Sequence, residues 1–250
     1  MINNDFDLSG KTYLVTGASS GIGLEICKTI NALNGSFIAV ARREDNLIAL
    51  LEECNNAANS YVKADLSERA DLDLIIGAIG KIDGIVHSAG VAKFVPLKFY
   101  SLDDFRESQK LNVESIMYLL NAISKQKKLN KKSSIVLVSS LGAMLGTKGG
   151  GYYGAVKAEL MALSKVWANE LSLSGTRVNC VAPGIVETDM VVEAYERLSD
   201  EEVVADKKKY PLGYGAPRDV AYPVAFLLSN ASRWITGQTL ILDGGRSIYV

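Results

Sequence analysis

Thr12 Tyr13 Leu14 Val15 Thr16 Gly17 Ala18 Ser19 Ser20 Gly21 Ile22 Gly23 carries a β-rich run into a glycine turn. Beyond it, Ile22, Ile26, Ile30 and Leu33 recur at helical spacing, and Gly35 supplies the stop expected after a helix. A strand, a tight turn, a helix and a second β-rich run from Ser36 to Ala41 make the opening unit of a doubly wound α/β fold. Gly17, Gly21 and Gly23 lack the side chains that would keep a pyrophosphate from the backbone and from the helix N-terminus.

Working outward, β-rich and helical segments keep alternating, the signature of a parallel sheet covered by helices on both faces. The predicted strands are Thr12–Thr16, Ser36–Ala41, Ser60–Lys63, Gly84–His87, Ser134–Ser139, Arg177–Ala182 and Thr239–Asp243. Seven strands in one parallel sheet is therefore the expected architecture, a Rossmann fold spanning residues 1–250 as one domain. A long helix is expected to begin at Ser101 and contain Asn112, and another to run from Tyr153 to Leu173. The second is apolar on several sides, through Leu160, Met161, Leu163, Val166 and Trp167, which predicts cover from the sheet and from a second subunit. Pro223 falls inside the helix expected from Pro217 to Leu228 and predicts a kink there. Lys125 to Lys132 reads as a charged, solvated loop.

Composition narrows the function. The formal net charge is -1, and the lysine clusters, such as Lys207 to Lys209, are short; no nucleic-acid footprint is expected. The three cysteines, Cys27, Cys54 and Cys180, are widely spaced, and His87 is the only histidine, so neither a disulfide framework nor a metal site is expected. The start, Met1 to Gly10, is short and polar, and no apolar run has membrane-spanning length. A cytoplasmic protein acting on a small molecule is the reading, with no membrane or nucleic-acid partner.

Tyr153 and Lys157 are four residues apart, which puts both on one face of a helix. A free phenol titrates near pH ~10, and a nearby cation favours the phenolate, so the pair suits proton exchange with a substrate. At the end of the second strand stand Ala41, Arg42 and Arg43, where an acidic residue would bond the ribose 2′-hydroxyl of NAD. Guanidinium groups there favour the 2′-phosphate of NADP, with NAD the weaker ligand. Arg42 is placed on the phosphate and Arg43 beside it.

The form Thr16-Gly-Ala-Ser-Ser-Gly-Ile-Gly23 resembles the short-chain dehydrogenase/reductase superfamily. It is joined by Asp65, by His87 Ser88 Ala89 Gly90, by Ser140 thirteen residues before Tyr153, and by Pro183 Gly184 Ile185 Val186 Glu187 Thr188. The likeness runs from about Leu8 to Val250. It implies Asn112, Ser140, Tyr153 and Lys157 as the catalytic set: Tyr153 the proton donor, Ser140 the stabiliser of the carbonyl oxygen, Lys157 the holder of the nicotinamide ribose, and Asn112 the anchor of a relay water. It further implies cofactor contacts from Gly17, Ser19, Ser20, Gly21, Ile22 and Gly23 in the turn. Asp65 and Leu66 would meet adenine, Ser88, Ala89 and Gly90 the adenosine ribose, and Pro183, Gly184, Ile185 and Thr188 the nicotinamide side. Tyr152 and Ser139 are the lesser neighbours of Tyr153 and Ser140, because Val156 follows Tyr152 at four residues and the spacing of thirteen belongs to Ser140. His87 reads as a satisfied structural histidine.

Among members, Val181 to Met190, Ile235 Thr236 Gly237 Gln238 and Asp243 Gly244 Gly245 are most similar to 3-oxoacyl-(acyl carrier protein) reductases. That implies a carbonyl/alcohol oxidoreductase, acyl carrier protein as a candidate partner docking at Lys131 or Lys132, and a homotetramer. Leu171 to Gly175 offers no arginine where that family often has one. Sugar, polyol and hydroxysteroid dehydrogenases carry the same motifs. A sugar epimerase, an enoyl reductase and a catalytically silent dinucleotide sensor compete less well, on glycine spacing, on the Tyr–Lys interval and on the intact Tyr–Lys pair respectively. The segment 187–214 is the expected substrate lid.

Overall fold

The protein's structure, a computed structural model, describes residues 5–189, 191 and 199–248. The chain alternates β1 (Thr12–Thr16), α1 (Gly21–Ala32), β2 (Ser36–Ala41), α2 (Glu44–Cys54), β3 (Ser60–Lys63), α3 (Arg69–Ala78) and β4 (Ile82–His87). Then follow α4 (Leu102–Gln109), α5 (Ser115–Lys125), β5 (Leu129–Val138), α6 (Gly151–Leu171), β6 (Arg177–Pro183), α7 (Asp200–Lys207), α8 (Pro217–Leu228) and β7 (Thr239–Leu242). The strands form one seven-stranded parallel sheet in the order β3-β2-β1-β4-β5-β6-β7. This is the Rossmann architecture that the sequence predicts.

Strand alternation explains the layers. Leu14, Val40, Ile85, Ile135 and Leu137 point into one core with α3, α5 and α6, while Tyr13, Val15, Ala39, Val86 and Val136 point into the other with α1, α2 and α8. Both faces of the central strands are thus dry, and each fully buried Leu or Ile contributes about 1.5–3 kcal/mol. The strand order reverses between β1 and β4, so a crevice opens at their carboxyl ends.

Four local expectations change. β5 begins at Leu129, which pairs with Ile82 beyond a register shift, so half of the expected lysine loop is strand. Lys128 is not simply solvated either, because its ammonium donates to the carbonyls of Ile76 and Ile79 (2.8 Å to Ile79), satisfying the end of α3. The helix starting after the cap Ser101 does contain Asn112, but Lys110–Glu114 is a π-turn between α4 and α5. On α6, Met161, Leu163 and Trp167 are already partly covered by the chain's own core, leaving Val166 as the exposed apolar residue of that group. Pro223 falls inside α8, where the sequence places it. Among the described residues, no helix is long and apolar enough to cross a membrane.

Candidate active site

A cleft of about 520 Å³ lies along the carboxyl ends of the strands. Its floor is the glycine turn between β1 and α1. Gly17 has φ +71°, and a Cβ there would lie 2.8 Å from the backbone nitrogen of Ala89; a Cβ on Gly23 would lie 2.3 Å from the Gly17 carbonyl oxygen. Only glycine lets turn, helix and the segment after β4 pack this closely. Gly17, Ser19, Ser20, Gly21, Ile22 and Gly23 all line the cleft, as do Asp65 and Leu66 after β3 and Ser88, Ala89 and Gly90 after β4. Pro183, Gly184 and Thr188 line it after β6; there Val186, not Ile185, faces the cavity. The Ile185 carbonyl instead accepts from the Gly215 N–H at 3.0 Å.

The two arginines after β2 both line this cavity but divide their work. Arg42 is largely exposed, with its guanidinium 3.7 Å from an Asp65 carboxylate oxygen. Arg43 reaches across the turn, donating from Nε and Nη2 to the Ser19 hydroxyl at 3.2 and 3.1 Å, and from Nη2 to the Ser20 hydroxyl. Asn46, a residue the sequence did not mark, donates to the Ser19 carbonyl at 2.9 Å and fixes the same turn. Asp65 is itself engaged: its carboxylate accepts from the Ser67 N–H and hydroxyl at 2.9 and 2.7 Å. Burial pushes that carboxyl up, but these bonds and Arg42 outweigh it, and it sits below the usual carboxylate value.

At the far end, Ser140, Tyr153 and Lys157 converge on the cleft. Ser140 follows β5 and caps a short turn, accepting from the Gly142 N–H at 3.1 Å. A Cβ on Gly142 would lie 3.4 Å from Ser140 Oγ and 3.6 Å from the Tyr153 ring, so both groups face one small volume. Burial raises the phenol of Tyr153 above its ordinary value, and the Ser140 hydroxyl opposes this. The expected lowering by Lys157 is not the net outcome. Its buried ammonium sits 5.8 Å from the Tyr153 ring centroid and donates to the Val138 carbonyl at 3.0 Å. Burial brings Lys157 itself down to about 8.

Asn112 lies behind the cleft, fully buried in the π-turn. Its amide donates to the carbonyls of Ser108 (2.9 Å) and Val91 (3.3 Å), while Oδ1 accepts from no donor among the described residues. A Cβ on Gly90 would lie 2.5 Å from this oxygen and 2.9 Å from Lys157 Nζ, so an unpaired acceptor and the ammonium flank one glycine. The two decoys are structural. The Tyr152 hydroxyl accepts from the Ser101 N–H and donates to its carbonyl at 2.8 Å, pinning the start of α4 to α6. Ser139 turns inward and donates to the Lys157 carbonyl at 2.7 Å.

The segment expected as a lid lies partly outside the described residues, Tyr195 included. Its described part holds α7, begun by a Ser199–Glu202 capping box, with Tyr214 donating to Asp206 at 2.9 Å and Lys207 paired to Glu187 at 3.3 Å.

A parallel sheet whose strand order reverses, with a glycine turn and two arginines at one end of the cleft and Ser140, Tyr153 and Lys157 at the other, defines a dinucleotide-dependent oxidoreductase. Residues 17–247 match the family model described as enoyl-(acyl carrier protein) reductase. The chain is 34% identical to a 3-oxoacyl-(acyl carrier protein) reductase of Rickettsia bellii over 96% of its length and 98% of the relative's. It is 30% identical to the Escherichia coli K12 protein of the same name, with the same coverage. Among solved structures, a short-chain type dehydrogenase/reductase from Mycobacterium ulcerans superposes with a TM-score of 0.88 at 30% identity, covering 97% of this chain and 92% of that one. A putative NAD(P)-dependent gluconate 5-dehydrogenase from Beutenbergia cavernae, with bound NADP, gives 0.89 at 27% identity over 98% and 100%. The chain belongs to the short-chain dehydrogenase/reductase family and is an NAD(P)-dependent oxidoreductase.

Proposed function

We propose that this protein reduces a ketone to a secondary alcohol with NADPH, and that its substrate is a 3-oxoacyl thioester, carried by acyl carrier protein. The observation that carries the reaction is the meeting of Ser140, Tyr153 and Lys157 at one end of a cleft whose other end is the glycine turn and Arg43. The substrate class is supported by the reductases named above; a sugar or polyol ketone is the second reading, favoured by the gluconate dehydrogenase likeness.

The residues fit the cofactor. The glycine turn lines the cleft where α1 begins without a side-chain cap, a place suited to a pyrophosphate, and Arg42, Arg43 and Ser19 would form a basic, hydroxyl-bearing corner for the 2′-phosphate. The bound nicotinamide would supply hydride to the carbonyl carbon. Tyr153, kept protonated by burial, gives its hydroxyl proton to the carbonyl oxygen as the C–H bond forms. Ser140 donates a hydrogen bond to the same oxygen and stabilises its developing charge. Lys157 binds the nicotinamide ribose hydroxyls, and its ammonium, already brought down toward neutrality, returns the proton to Tyr153. Asn112 Oδ1, the unpaired acceptor, holds the water that joins Lys157 to solvent.

Exposed Leu102 lines an apolar hollow of about 310 Å³ with Tyr100, Phe105 and Tyr152, at the helices that begin near Ser101 and Gly151, and the preceding Leu97 and Phe99 are also exposed. We place subunit contacts of a homotetramer there; a monomer in light scattering at micromolar concentration would refute this. For the reaction, oxidation of NADPH and NADH is followed with a 3-oxoacyl thioester, a keto-sugar acid and a keto-steroid. The expected result is turnover of the thioester with NADPH preferred. Turnover of the keto-sugar acid alone would replace the substrate class, and turnover of no carbonyl would overturn the reading.

A further inference from the structure

His87, the chain's only histidine, ends β4 and is fully buried. Its Nδ1 lies 2.9 Å from Thr16 Oγ1, and its Nε2 lies 3.1 Å from the backbone carbonyl oxygen of Asn112. A carbonyl oxygen can only accept, so Nε2 carries the proton. Nδ1 is then an acceptor, and the Thr16 hydroxyl must donate to it. That leaves the Thr16 oxygen free to accept the Ala89 N–H at 3.3 Å. Hydrogen bonds therefore run in one direction, from Ala89 through Thr16 and His87 to Asn112.

Both ends of this chain are parts of the site. Thr16 precedes Gly17 of the glycine turn, and Ala89 is the residue against which Gly17 packs. Asn112 sits in the π-turn, where the carbonyls are displaced from α-helical register and one can take a donor from outside the helix. The imidazole supplies that donor. The Asn112 amide is fixed by Ser108 and Val91, which leaves Oδ1 and Lys157 Nζ flanking Gly90. We infer that His87 is a positioning residue: as the neutral Nε2–H tautomer it ties the π-turn to the glycine turn and so holds Asn112 beside Lys157. The inference rests on the carbonyl-reduction reading, in which Asn112 anchors the proton path. Burial, with the nearby Lys157 charge, takes His87 to about 3, consistent with a neutral ring at neutral pH.

Because the chain has one histidine, 15N-histidine labelling of the full-length protein gives a single imidazole. NMR at pH 7, with and without NADPH, is expected to show a protonated Nε2 and an unprotonated Nδ1. An Nδ1–H tautomer or an imidazolium would overturn the inference, and this measurement needs neither a variant nor turnover. Kinetics read the consequence. His87→Phe keeps the ring and deletes both bonds, and kcat is expected to fall about tenfold, the scale of one buried hydrogen bond, with the KM for NADPH little changed. His87→Gln can still reach the Asn112 carbonyl and is expected to recover most of that loss. In the double variant with Asn112→Ala, His87→Phe should cost nothing further, since it acts through Asn112. Losses that multiply, or a Gln variant as slow as Phe at equal Tm, would refute the positioning role. Absence of carbonyl turnover in the wild type would strike the functional reading and leave the tautomer result standing.

Discussion

Acid should destabilise this protein through His87, by an amount the burial of the ring sets. Its folded value is about 3 against an ordinary 6.5, because burial and then the Lys157 charge disfavour the imidazolium, partly offset by the bond to Asn112. Between those two values the unfolded chain takes up a proton that the native state refuses, so stability is intact above pH ~6.5 and is lost as pH falls toward 3. At 1.36 kcal/mol per pKa unit the full loss is about 5 kcal/mol, and the portion between pH 7 and 4.5 is about 2.5 kcal/mol. Urea unfolding of wild type and His87→Gln at both pH values isolates it. Carboxylates such as Asp65 and Asp243, both below their ordinary values, also cost stability in acid, but they contribute equally to the two proteins and cancel in the difference. The wild type is expected to lose about 2.5 kcal/mol more than the variant over this interval. Equal losses would show that His87 takes up its proton without penalty, and the buried, neutral ring would have to be abandoned.

Three further outcomes follow from the site. Tyr153→Phe keeps the ring and removes the proton donor, so kcat should drop by roughly two to four orders of magnitude while NADPH affinity by fluorescence titration changes little; near-wild-type turnover would refute the chemistry. Gly90→Ala places a methyl 2.5 Å from Asn112 Oδ1 and 2.9 Å from Lys157 Nζ, so kcat should fall about tenfold or more with only a small change in Tm; an unchanged kcat would mean that these two groups do not act there. Arg43→Ala should weaken NADPH binding by roughly ten- to several-hundred-fold and spare NADH, the scale of one or two charge-assisted bonds. Arg42→Ala should do less, because its guanidinium is exposed and neighbours the Asp65 carboxylate; the reverse ranking, read from kcat/KM ratios, would return the phosphate to Arg42.

What could be read from the chain alone was whatever is encoded over a few residues. Short β-rich runs set between helical segments mark the strands of a sheet covered on both faces, and the i, i+4 relation puts Tyr153 and Lys157 on one helix face. The glycine turn is legible because φ +71° at Gly17 favours glycine and the backbone contacts at Gly17 and Gly23 leave no room for a Cβ. Spacing separates Ser140 from Ser139 and Tyr153 from Tyr152, since Ser140 stands thirteen residues before Tyr153 and Val156, not a lysine, follows Tyr152 at four. In the structure Ser139 bonds the Lys157 carbonyl and Tyr152 bonds Ser101.

Other features depend on which distant segments meet, and no local pattern carries that information. The order β3-β2-β1-β4 sets Asp65 beside Arg42 and frees Arg43 to grip Ser19, a division two adjacent arginines do not reveal. Lys128 looks like one solvated lysine among several until α3 ends within reach of its ammonium. The π-turn at Lys110–Glu114 has no periodic signature, since one widened turn shifts the spacing by a single residue. The phenol of Tyr153 is raised rather than lowered because burial is a property of the whole packed site, while the sequence shows only that a cation is near. His87 is the extreme case: its tautomer and its neutrality are set by Thr16, 71 residues away, and Asn112, 25 residues away, brought to its two nitrogens by the sheet and the helix packed on it.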